Sequence, residues 1–116
     1  MNDVRVIDRY VFSELQVAAG HDFVAELVQT FSEEAPALLT ELRQAQAEGA
    51  PERFRRAAHS LKSNSSTFGA TRLAELSRTL ELDGVPASTE PLVALQTEYE
   101  RSLLALTQLA SAAPGA

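Results

Sequence analysis

Apolar residues recur along this chain in steps of three and four, the spacing that gathers them on one side of an α-helix. Glycine and proline interrupt the pattern at Gly20, Gly49 to Pro51, Gly69, Gly84 to Pro86, Pro91 and Pro114 to Gly115. Glycine closes helices cheaply and proline is tolerated in a first turn, so these marks predict helices over about 8–19, 21–48, 51–68, 71–83 and 89–111. Pro36 falls inside a segment. Val24, Val28, Phe31, Ala35, Leu38, Leu42 and Ala45 keep phase across it, which predicts one bent helix and not two. The third segment repeats the steps at Phe54, Ala58, Leu61, Ser65 and Phe68, and the fourth at Leu73, Leu76 and Leu80. The last uses Leu92, Leu95, Tyr99, Leu103, Leu106 and Ala110. Four amphipathic helices joined by short loops predict an all-α, antiparallel up-and-down four-helix bundle. A short first helix, with Ile7, Tyr10, Val11 and Leu15 as its apolar stripe, is expected to cap one end.

Composition narrows the function classes. The 116 residues suit one domain, 1–116, with its core at about 21–111 and an Ala-Pro-Gly tail expected to fray. There are 19 Ala and 16 Leu against 8 Val and 1 Ile, a bias toward helix. The absence of cysteine excludes disulfides and thiolate zinc sites. A net charge of −6 argues against nucleic acid as a partner, which needs a broad basic face. No apolar run approaches the roughly 20 residues of a membrane span. The start, MNDVRVIDRY, lacks the apolar core of a signal peptide, so a cytoplasmic protein is expected.

Only 55–70, RRAAHSLKSNSSTFGA, departs from ordinary helix composition. With a turn of about 100° per residue, His59 points roughly 150° away from the core direction. Arg55, Arg56, Lys62 and Ser63 lie three or four residues from it and Ser66 flanks it, so the reading predicts a positive spot around an exposed imidazole. Ser60, Ser63, Asn64, Ser65, Ser66 and Thr67 are poor helix formers, and their small side chains leave the ring open to an approaching surface. A neutral imidazole is a nucleophile through one ring nitrogen. Cations beside it stabilise the oxygens of a phosphoryl group in flight, and a lysine one turn on suits this as a point charge. With no Gly-rich phosphate loop in the chain, the donor is expected to be another protein.

These residues resemble the histidine-containing phosphotransfer (HPt) domains of two-component phosphorelays. The family's motif His-x-Leu-Lys-Gly-Ser-Ser stands here as His59-Ser60-Leu61-Lys62-Ser63-Asn64-Ser65, followed by Phe68-Gly69-Ala70. Arg56-Ala57-Ala58, Leu73-Ala74-Glu75-Leu76 and the stretch from Phe31 to Leu39 with its mid-helix proline are also similar, so the resemblance covers about 21–83. It implies that His59 is the phosphoacceptor, that Lys62 steadies the phosphoryl group and that Gly69 allows a tight turn. The partner-binding face would comprise Arg55, Arg56, Ser63, Ser66 and Gly69. A polar side chain from the next helix would orient the imidazole, and folding back about Gly69 makes Arg78 and Glu81 the candidates. Ser63 departs from the family's usual glycine, a change that touches transfer rate or partner choice. The implied function is a phosphorelay intermediate: it takes a phosphoryl group from a receiver-domain aspartate and passes it to another receiver. It would be a phosphocarrier with no ATP-dependent kinase activity and no cofactor. Its partners would be response-regulator receivers and a sensor or hybrid histidine kinase, and it would be a monomer.

Two other classes compete. A receiver-binding module that keeps the fold without carrying phosphate is the alternative that Ser63 permits. A metal-binding or di-iron bundle needs a Glu-x-x-His pair facing inward, and the sequence contains none, so no metal is expected. His21 reads as a helix-start or loop residue with no special role, and Glu33, Glu34, Glu98 and Glu100 as solvated faces.

Overall fold

The glycine and proline marks are where the helices stop. A computed structural model describes residues 6–112, and its regular structure is α-helical throughout: α1 (Arg9–Ala19), α2 (His21–Glu48), α3 (Pro51–Thr67), α4 (Thr71–Asp83) and α5 (Glu90–Ser111). Met1 to Arg5 and the tail from 113, where fraying was expected, lie outside the described residues.

Local chemistry accounts for the ends. The Asp8 carboxylate accepts from the backbone N–H groups of Tyr10 and Val11 at 3.0 and 3.3 Å, capping α1. α2 runs unbroken through Pro36, as the continuous apolar phase predicts. It ends at Gly49, whose left-handed φ of 63° lets its own N–H and that of Ala50 reach back to α2 carbonyls, and Pro51 then opens α3.

α2 packs on α3 and α5, and α4 packs on α3 and α5, with the closest association between α3 and α4. Small residues permit that closeness: Ala57, Ala58 and Ser65 on α3 are buried, as are Ala74 and Ser77 on α4. The two buried serines donate to their own helix, to Leu61 O at 2.7 Å and Leu73 O at 2.8 Å, so neither hydroxyl is left unpaired. Phe54, Leu61, Leu73, Leu95 and Leu106 are wholly buried, and Phe31 stacks between Phe68 and Tyr99 with ring centres 5.4 and 5.6 Å apart. Truncating a residue such as Phe54 to Ala costs about 3–5 kcal/mol, so this interior fixes how α3 is rotated.

Three details differ from the periodic reading. Leu39 is the buried residue on α2, with Leu38 only half-buried, because the face against α3 and α5 is wider than one stripe. Tyr10 is exposed and Phe12 takes its place in the core. α1 is steered by a backbone bond from Asp8 N–H to Gly69 O at 2.7 Å, which ties it to the α3–α4 turn. The third is Glu98, expected in solvent and found 4% exposed. It is held by Arg101 at 3.2 Å and by Arg72 of α4 at 3.6 Å, an inter-helix contact that a single helix wheel does not contain.

Candidate functional site

Ala58 and Leu61, both fully buried, set the rotation of α3, and His59 between them is therefore turned outward with 54% of its side chain exposed. The serine-rich turn that follows is helical to Thr67, and two of its hydroxyls donate back to their own helix, Thr67 to Ser63 O at 3.1 Å and Ser65 to Leu61 O. Gly69 then reverses the chain with φ +79°. A Cβ there would sit 2.8 Å from Asp8 O, so α1 can lie over the turn only above a glycine. This reversal sends α4 back alongside α3 and brings Glu81 level with His59.

The hydrogen-bond partner of the imidazole is an acid from the next helix. Its Nδ1 lies 2.7 Å from Glu81 Oε2. The carboxylate is 14% exposed, and its other oxygen faces Lys62 Nζ at 3.3 Å, an ion pair without an aligned hydrogen bond. The hydrogen bond with His59 holds the Glu81 carboxyl below its ordinary value, against an opposing push from partial burial and with further help from Lys62. A carboxylate only accepts, so a neutral ring keeps its proton on Nδ1 and leaves the Nε2 lone pair unprotonated. One carboxylate thus selects a ring tautomer and restrains a lysine beside it.

The remaining predicted residues are distributed around this centre. Arg55 is bonded to Glu52 at 2.6 Å, an acid three residues back on its own helix. Arg56, Ser63 and Ser66 are exposed on α3. Gly69 is buried beneath α1. Of the two candidates for orienting the ring, Glu81 is in contact. Arg78, one turn earlier on α4, lines a cleft of about 290 Å³ with Lys62, Ser66, Gly69, Glu75 and Val11.

A larger cavity, about 560 Å³, lies between α2, the α4–α5 loop and α5, with Arg43, Gln46, Leu92, Val93 and Gln96 in its wall. Its lining contains no carboxylate, imidazole or lysine and so no acid–base pair. Among the described residues no three His, Asp or Glu side chains gather as a metal site requires, and no helix is long and apolar enough to cross a membrane.

Sequence reasoning missed the Glu98 cluster. Arg101 three residues on was the available signal; Arg72, far away in sequence, was not. Comparison with known proteins gives one finding: a family model described as Hpt domain matches residues 26–112, a span that contains His59, Lys62 and Glu81. Searches of curated proteins and of solved structures found no match.

Proposed function

The chain belongs to the Hpt domain family, and on that premise we propose that His59 is the phosphoacceptor of a phosphorelay intermediate that takes its phosphoryl group from one receiver aspartate and gives it to another. Hpt domains serve histidine phosphotransfer in phosphorelays, interact with receiver domains and histidine kinases, and are phosphocarriers and not kinases. The observation that carries the assignment is the 2.7 Å contact of Glu81 with Nδ1 on an otherwise exposed ring.

The step follows from those atoms. Nε2 attacks the phosphorus of an aspartyl phosphate, in line with the carboxylate oxygen. The N–P bond forms as the P–O bond breaks, and the aspartate departs as a carboxylate. The ring becomes positive with its proton still on Nδ1, where Glu81 stabilises the new charge. Lys62, restrained in advance beside the ring, turns from Glu81 to the phosphoryl oxygens. Attack on phosphorus by a second receiver's carboxylate reverses these events and restores the neutral ring. Ser63, one turn beyond His59, is small enough to let the two surfaces close and adds a hydroxyl within reach of the phosphoryl group.

The contacts linking α2, α3, α4 and α5 in a cycle support the reading of an antiparallel up-and-down four-helix bundle capped by α1. We read 1–116 as one domain, monomeric and cytoplasmic, without kinase activity of its own. The test is transfer from a radiolabelled, phosphorylated receiver to the native chain and to His59→Gln. Acid-labile, alkali-stable label on the native chain alone is expected. No label on either, from receivers that phosphorylate another Hpt domain, would leave a receiver-binding module that carries no phosphate.

A further inference from the structure

Arg78 was a candidate for orienting the imidazole, but Glu81 occupies that place, which leaves the arginine without a role. Arg53, Arg55, Lys62, Arg72 and Arg101 each have a carboxylate within 4 Å. Arg78 is exposed and has none among the described residues, although Glu75 lines the same cleft one turn earlier. Arg56, the other cation near His59 without an ion pair, lies outside the cleft that Arg78 and Lys62 share. Arg78 is therefore the cation without an ion pair in the cleft that Lys62 lines. One turn further along α4, on the same exposed face, Leu82 is 65% exposed, immediately after the glutamate that holds the ring. A cation and a large apolar side chain one turn apart, flanking a nucleophile, are the two elements a protein partner would cover.

We infer that Arg78 and Leu82 form the docking ridge for the phosphorylated receiver. The inference rests on the relay reading above and names the residues by which that site selects its partner. The occupant follows from charge. The chain carries −6, and a partner presenting an aspartyl phosphate among carboxylates is itself negative at the contact surface. Approach requires a local positive point, and Lys62 is held by Glu81 until the phosphoryl group arrives. Arg78 supplies that point at the edge of the cleft, and Leu82 supplies the apolar contact that keeps the partner in register. Arg78 touches none of the reacting atoms; it acts on encounter and orientation.

The experiment measures initial rates of phosphoryl transfer from a purified phosphorylated receiver over a range of receiver concentrations. Arg78→Glu is expected to lower kcat/KM about fivefold or more at low ionic strength with kcat changed less than about twofold, and the deficit should shrink with added salt. Arg43→Glu, on the α2–α5 side, makes the same change in net charge and should leave kcat/KM within about twofold. Leu82→Ala should lower kcat/KM about threefold with no salt dependence. Equal losses in Arg78→Glu and Arg43→Glu would reduce the effect to overall charge and overturn the inference, as would unchanged kcat/KM in Arg78→Glu. A native chain that takes no label overturns the relay reading and this inference with it, whereas a labelled native chain indifferent to Arg78 overturns the docking ridge alone.

Discussion

Glu81 and Glu98 are two nearly buried carboxylates on adjacent helices, each with one oxygen facing a cation, and their surroundings assign them different work. Glu98 is 5% exposed in its side chain and meets two arginines, Arg101 on its own helix and Arg72 on α4. A guanidinium donates and has no lone pair to offer, so this cluster joins α4 to α5 and presents nothing that can react. On the same helix the hydroxyls of Tyr99 and Ser102 are buried and make no hydrogen bond within the protein, and burial pushes the Tyr99 phenol above its ordinary value. Glu81 instead meets an imidazole and a lysine, and the imidazole is largely open to solvent. The same carboxylate chemistry becomes functional where its partner has a lone pair to offer and a surface to offer it on. Burial of an acid marks a site only when the group it holds can react.

That contrast can be broken from either side. The largest effect on stability is expected at the Glu98 cluster. Replacing both Arg72 and Arg101 by Ala strands a buried charge and should cost about 3 kcal/mol in chemical denaturation, with transfer from the receiver changed less than about twofold. A loss below about 1 kcal/mol would mean that Glu98 relaxes into water and that the cluster holds nothing.

At Glu81 the order reverses. Glu81→Ala should slow transfer about tenfold, or about 1.4 kcal/mol in the barrier, while the denaturation midpoint moves little. Glu81→Gln keeps an oxygen that accepts from Nδ1–H and should recover part of the rate, a rescue that a merely structural role would not give. Equal rates in Ala and Gln would assign the whole effect to charge.

The smallest effect is in the acid limb of stability. The Glu81 carboxyl titrates below its ordinary 4.5 in the folded chain, so its contribution to stability is complete above that value. It is lost as pH falls through the lowered folded value. The stability difference between the native chain and Glu81→Gln should therefore be flat at neutral pH and narrow in acid. A difference that widens as pH falls would contradict the assigned direction.

The elements were legible in the sequence because the helix period and the glycine and proline marks agree at most boundaries, as at Gly20, Gly49 and Gly84. The outward turn of His59 was legible for the same reason, since Phe54, Ala58, Leu61 and Ser65 fix the opposite face of α3. The ring's partner was legible only to within a turn. Folding back about Gly69 brings the far part of α4 to His59, but choosing Glu81 over Arg78 depends on the rotation of α4 set by Leu73, Ser77 and Leu80. Arg55 of the predicted positive spot is paired with Glu52, a contact that the three-residue spacing already contained. Glu98 was illegible because what permits its burial is an arginine from another helix, and helical periodicity records only neighbours on the same helix.

The central claim is that Glu81 holds the proton on Nδ1 so that Nε2 of His59 receives the phosphoryl group. Its most direct test is NMR of the chain labelled with ¹⁵N at histidine, before and after phosphorylation by a receiver. The account predicts a protonated Nδ1 at His59 in the resting chain, phosphorus coupling to Nε2 of that ring after transfer, and an unchanged His21. Phosphorus coupled to Nδ1, or a resting ring protonated on Nε2 alone, would contradict it.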